Sequence, residues 1–138
     1  MKVYLTTTAH FCAGHRLYDP LLSNEKNAEI FGKCSNPSGH GHNYKLFVTV
    51  CGLPDPATGM IIDLTELKNT IEEKLIKLVD HKNLNTDVSF LKGINPTAEN
   101  LVVKFWEILH EALPEILYEL TLYETDKQWV SFKGMKRL

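Results

Sequence analysis

Residues 40–50 constrain this chain more tightly than any other stretch. His40, His42, Tyr44, Leu46, Val48 and Val50 occupy every second position, and along an extended strand residues two apart project from one face. The apolar members demand a core. The two imidazoles continue the same face, with only the hydrogen of Gly41 between them. The stretch Cys34-Ser-Asn-Pro-Ser-Gly-His40-Gly41-His42-Asn43-Tyr44 therefore aims two nitrogen ligands at one point, with a thiol close upstream. Convergent neutral imidazoles with a nearby thiol suggest a zinc site.

A third ligand has to come from elsewhere. Val3 to Ala9 reads as a strand, with Val3, Leu5 and Thr7 opposing Tyr4 and Thr6. It runs into His10-Phe-Cys-Ala-Gly-His15-Arg16-Leu17. If this strand pairs with the strand Tyr44 to Cys51, His15 falls beside His40 and His42; His10 competes for the role. Three imidazoles with an open fourth position make a catalytic zinc, whereas a closed site with a thiolate is structural. Cys34 as fourth ligand would close the site. On the residues alone both versions stand.

Asp19 to Pro37 is polar, with few apolar residues, and reads as a long loop. Gly52 to Gly59 reads as a turn, and Met60 to Ile62 as the returning strand of a hairpin. Asp63-Leu-Thr-Glu66 is a capping box, opening a helix with Leu64, Leu67, Ile71, Leu75 and Leu78 on its apolar stripe. That helix ends near Asp80-His81-Lys82-Asn83. A second starts after Pro96 with Thr97 as cap, carries Leu101, Val102, Phe105, Ile108, Leu109 and Ala112, and stops at Pro114. Strands Tyr118 to Thr125 and Trp129 to Lys133 follow around a turn at Asp126-Lys127. Strands and helices in runs, rather than in alternation, predict an α+β fold with an antiparallel sheet.

Length makes residues 1–138 one expected domain. A net charge of -2 gives no global basic field for nucleic acid, so a polyanionic ligand needs a local cluster of cations; Arg16, Lys33 and Lys133 are the candidates. The three cysteines are an odd number, which points to free thiols in a reducing cytosol. No signal-peptide region and no run of membrane-spanning length is expected.

Two more features bear on chemistry. Asp80-His81 sits at a helix C-terminus, where the dipole and the carboxylate both favour a protonated imidazole. Adjacent residues inside a helix do not face each other, so direct pairing requires the chain to have left the helix. Glu124 shares a face with Leu120 and Leu122, a costly place for a charge unless it is paired. Either the strand ends there and opens to water, or the carboxylate recognises a ligand with donor N–H groups.

The segments FCAGHRL, CSNPSGHGHNYKLFVTV, DHKNLN, PTAEN and YETDKQWVSFKG resemble, in order and across nearly the whole chain, the 6-pyruvoyl-tetrahydropterin synthase family. The resemblance implies the T-fold: an antiparallel sheet with two helices on one face, subunits joining sheets into a trimeric barrel. Trimers stack into a homohexamer with active sites at subunit interfaces. By position it makes His15, His40 and His42 ligands of Zn2+, and Cys34 the proton-transferring thiol. Asp80 and His81 become the relay, and Glu124 the carboxylate that anchors the pterin. Thr97 and Glu99 fall near the pterin, although Pro96 and Ala98 stand where the family more often has hydroxyl residues. The implied activity is a cytoplasmic carbon–oxygen lyase acting on phosphates: 7,8-dihydroneopterin triphosphate is converted to 6-pyruvoyl-tetrahydropterin. One alternative is the 6-carboxy-tetrahydropterin synthase branch, acting on the same substrate in queuosine biosynthesis. Another, of a different class, is a non-catalytic zinc-stabilised pterin-binding module. The spacing from Cys34 to His40, and Asn43-Tyr44 after the HGH, favour the pyruvoyl type.

Overall fold

The computed structural model describes residues 1–134. Its frame is the pair β1 (Val3–His15) and β2 (His40–Gly52), antiparallel and in unbroken register from Val3 opposite Gly52 to His15 opposite His40. β1 thus extends past Ala9 to His15. Strand β4 (Leu117–Thr125) pairs with the other edge of β2, and β5 (Gln128–Phe132) with β4. The two-residue β3 (Lys82–Asn83) pairs in parallel with β1, giving the order β3-β1-β2-β4-β5.

Alternation puts Phe11 and Ala13 of β1, Tyr44, Leu46, Val48 and Val50 of β2, and Leu120 and Leu122 of β4 on one buried face. Phe11 and Tyr44 are direct partners across the ladder, their rings stacked with centroids 4.6 Å apart. Phe105, from helix α4 (Ala98–Ala112), meets Phe11 edge-on at 5.8 Å. The other helical cover runs from α2 (Leu64–Ile71) through a π-helical turn (Glu72–Ile76) into α3 (Lys77–Val79). Asp63 caps α2, its carboxylate accepting from the Thr65 N–H at 2.8 Å. No helix of the described residues is long and apolar enough to cross a membrane.

Three expectations are corrected. The stretch from Asp19 to Pro37 is not structureless: it holds α1 (Asn24–Phe31) and a 3-10 turn (Gly32–Ser35). Ser23 caps α1, and the buried Asn27 amide ties it to the carbonyls of Asp19, Leu22 and Ser23. Polar tethers replace the apolar stripe that periodicity looks for. Met60 to Ile62 forms no strand, because both edges of β2 are already taken by β1 and β4, Cys51 N–H donating to Ile116 O. The π turn inserts an extra residue into the helical repeat and rotates the face behind it. Ile76 and Val79 are buried there, and Leu78 is 44 % exposed. Leu64, in the first turn, is exposed to a similar degree.

Candidate active site

The rung that ends the β1–β2 ladder, His15 opposite His40, is where the histidines meet. Ring centroids lie 4.8 Å apart for His15 and His40, 5.0 Å for His15 and His42, and 4.8 Å for His40 and His42. One ligand atom from each falls within 4.8 Å of the others. His15 Nδ1 sits 2.8 Å from the Pro96 carbonyl. A carbonyl only accepts, so Nδ1 carries the proton and Nε2 presents a lone pair. Tyr44 Oη lies beside the same Nδ1 at 3.4 Å.

His15 Nε2 and His42 Nε2 are buried with no hydrogen-bond partner. Orphaned buried nitrogens are costly. Burial pushes His15 down to about 4, with a smaller contribution from its two imidazole neighbours. It also lowers His42, against the opposing pull of the Glu124 carboxylate. At neutral pH His15 and His42 therefore offer uncharged nitrogen donors that converge with the His40 ring. That donor set fits a metal ion, and a backbone acceptor behind His15 is the usual way a ligating histidine is oriented. His10 points the other way, on the exposed face opposite Lys45, and drops out as a ligand.

Glu124 sits where the β4–β5 register slips: Tyr123 pairs with Trp129 and Thr125 with Gln128, leaving Glu124 as the extra residue. Here the Oε1 comes to 3.5 Å from His42 Nε2, with the side chain 22 % exposed. The face does open there, and the carboxylate lies beside the histidines. With Leu17, Thr97, Glu99 and Trp129 it lines a cleft of about 450 Å³. Thr97 Oγ1 is engaged as the N-cap of α4, accepting from the Asn100 N–H at 3.2 Å. Glu99 is in the first turn of that helix.

Asp80 and His81 pair directly because the chain leaves the helix there. Asp80 is extended and His81 has a φ of +60°. Asp80 Oδ1 accepts from His81 Nδ1 at 2.9 Å and from the Cys12 N–H at 2.9 Å, and His81 N–H donates to Cys12 O at 2.6 Å. The Cys12 N–H, then His81, hold the Asp80 carboxyl below its ordinary range. His81 itself is 80 % exposed. Cys34 is half-buried in the 3-10 turn after α1. No hydrogen bond among the described residues joins its Sγ to the Asp80–His81 pair. The structure thus brings together His15, His40, His42 and Glu124, and holds Cys34 and Asp80–His81 as separate groups.

Pattern reading missed the Pro96 carbonyl and the amide of Asn95. Asn95 accepts from the Tyr18 N–H, and its own carbonyl accepts from Asn100. An asparagine followed by a proline just before the Thr97 cap was the available signal.

Sheet, helices and site together define a class: an α+β enzyme whose three histidines can hold a metal ion beside a carboxylate-lined cleft. The model of the 6-pyruvoyl tetrahydropterin synthase family matches residues 4–135, and the chain belongs to that family. The human 6-pyruvoyl tetrahydrobiopterin synthase is 50% identical over 125 residues, 90% of this chain and 86% of that protein. The Dictyostelium discoideum protein of the same name is 44% identical over 96% of each chain. The solved structure of Caenorhabditis elegans 6-pyruvoyl tetrahydropterin synthase superposes with a TM-score of 0.92 at 39% identity, covering 98% of this chain and 97% of that one.

Proposed function

We propose that this protein is a single T-fold unit that converts 7,8-dihydroneopterin triphosphate to 6-pyruvoyl-tetrahydropterin, releasing triphosphate. The observation that carries the reading is the pair of buried, partnerless Nε2 atoms of His15 and His42 converging with His40 beside Glu124. His15, His40 and His42 would hold zinc. When bound, the ion supplies Lewis acidity toward the oxygens of the substrate side chain.

The chain's own groups supply binding and proton transfer. Glu124 accepts from the guanidine-like N–H edge of the pterin, in a cleft that Thr97 and Glu99 also line. The Cys34 thiolate takes and returns protons along the side chain. Asp80 fixes the His81 ring through Nδ1, leaving Nε2 for the thiol. His81 is exposed, and among the described residues no hydrogen bond joins it to Cys34, so we assign the pair to the thiol of a neighbouring subunit in a homohexamer. The overall conversion is redox-neutral: triphosphate leaves by elimination, and tautomerisation moves the oxidation level from side chain to ring. Free Cys12, Cys34 and Cys51 fit a reducing cytosol.

The test combines metal analysis with the mass of the product formed from 7,8-dihydroneopterin triphosphate. One zinc per chain and a product of the 6-pyruvoyl mass are expected. Acetaldehyde with a carboxylated product would replace the reading with the 6-carboxy activity. No turnover together with zinc loss in Cys34→Ala would replace it with a zinc-stabilised binding module.

A further inference from the structure

The residues just past the last rung of β1 are held by a side chain from a distant loop. The Arg16 N–H donates to Asn85 Oδ1 at 2.7 Å, and Asn85 Nδ2 donates to the Arg16 carbonyl at 2.8 Å. A primary amide offers acceptor and donor side by side, which carboxylates and hydroxyls do not match. The clasp continues the β1–β3 pairing beyond its ladder, because the neighbouring Leu84 N–H already donates to Gly14 O at 2.8 Å. Leu84 is fully buried. Asn83 Oδ1 accepts from Asn85 N–H, and Asp87 closes the loop on Asn83 N–H. The amide is therefore presented from a loop already fixed.

What the clasp holds is the support of Cys34. The Leu17 N–H donates to Cys34 O at 2.8 Å, and Arg16 Nε donates to Ser35 O at 2.7 Å. The guanidinium lies 3.9 Å over the Tyr18 ring. Two successive carbonyls of the thiol-bearing turn thus hang on Arg16 and Leu17, and Arg16 hangs on Asn85. The use of Arg16 Nε for this support also weakens its candidacy as a triphosphate ligand.

We propose that Asn85 is a positioning residue for Cys34, acting through the main chain of Arg16 to fix the turn that carries the thiol. The inference rests on the reading of Cys34 as the proton-transferring group. Small displacements of a reacting group lower turnover steeply, by about 10²-fold per ångström of misplacement.

The experiment uses the metal-loaded full chain and two variants, Asn85→Ala and Arg16→Lys. Arg16→Lys leaves the Asn85 clasp intact and removes the Nε bond to Ser35. Measured are metal content, kcat and KM, and the pH-dependent rate of iodoacetamide labelling at Cys34 and at Cys12, separated by peptide mass. Expected in both variants is a fall in kcat of about 10-fold or more with KM changed by less than about threefold. Cys34 labelling shifts while Cys12 labelling and metal content hold. Unchanged Cys34 labelling in both variants overturns the proposal. So does an Asn85→Ala protein that loses fold or metal while Arg16→Lys labels like the wild type, since that outcome makes Asn85 merely structural. Full turnover in Cys34→Ala would instead remove the assignment of the thiol as base, and the labelling would still decide the positioning.

Discussion

His15 and His40 occupy the same rung and the same cluster, yet their removal should have different consequences. His15 is 2 % exposed and its Nδ1–H satisfies the Pro96 carbonyl. His15→Ala orphans that carbonyl, at about 1–3 kcal/mol, and empties the volume of a buried ring while relieving the partnerless Nε2, so a net cost of about 2–3 kcal/mol is expected. For a chain of this size, that lowers the melting temperature of the metal-free protein by about 10 °C. His40 is only half-buried, so His40→Ala should cost the metal-free protein about 1 kcal/mol or less. A metal ion held by the three histidines would see the two changes alike, because each leaves two nitrogen ligands of three. Metal at about 100 times its dissociation constant adds about 2.7 kcal/mol to the wild type, and should add little to either variant. The assay is thermal melting at equal protomer concentration, with chelator and with added zinc, alongside metal content after dialysis. An apo His15→Ala protein that melts with the apo wild type would refute the buried-support argument. One retained metal per chain in either variant would refute the three-histidine centre.

Cys34→Ala should keep metal, fold and assembly while turnover falls by about 10²–10⁴-fold, the usual range for a positioned acid–base group; metal content with steady-state kinetics checks it. Asp80 has a depressed carboxyl, held down first by the Cys12 N–H, so its contribution is present above its unfolded value and is lost as pH falls through the lower folded one. The stability difference between wild type and Asp80→Asn should therefore stay constant from neutral pH down to about 4 and shrink below it, as followed by denaturant titration across pH. The π turn predicts an inverted pair of costs: Ile76→Ala about 2–4 kcal/mol and Leu78→Ala under about 1 kcal/mol, read from the same titrations. Equal costs would restore an uninterrupted α-helix.

Much of the frame was legible because it is local. The alternation of His40 through Val50 placed both the buried face of β2 and its two imidazoles. The Asp63 and Thr97 caps set the starts of α2 and α4. Leu120, Leu122 and Glu124 were read onto one face of β4, and they lie there. Errors came where a different force wrote the local structure. α1 is held by the Asn27 amide rather than by an apolar stripe. A π insertion moved Leu78 out of the core. Met60 to Ile62 lacked a vacant sheet edge, which no strand propensity reveals.

By itself, then, the sequence determined the element types, the faces of the strands and the ligand pair of β2, since these depend on backbone periodicity within a few residues. The tertiary structure supplied the physical reason that His15, and not His10, is the third histidine. The β1–β2 register carries His15 to the histidine face and turns His10 away. It also supplied the Pro96 carbonyl behind His15, 81 residues distant, the approach of Glu124 to His42 across the sheet, and the Asn85 clasp beneath the Cys34 turn. Those contacts join groups far apart in the chain, and nothing in local periodicity encodes which distant amide or carbonyl a buried nitrogen will meet.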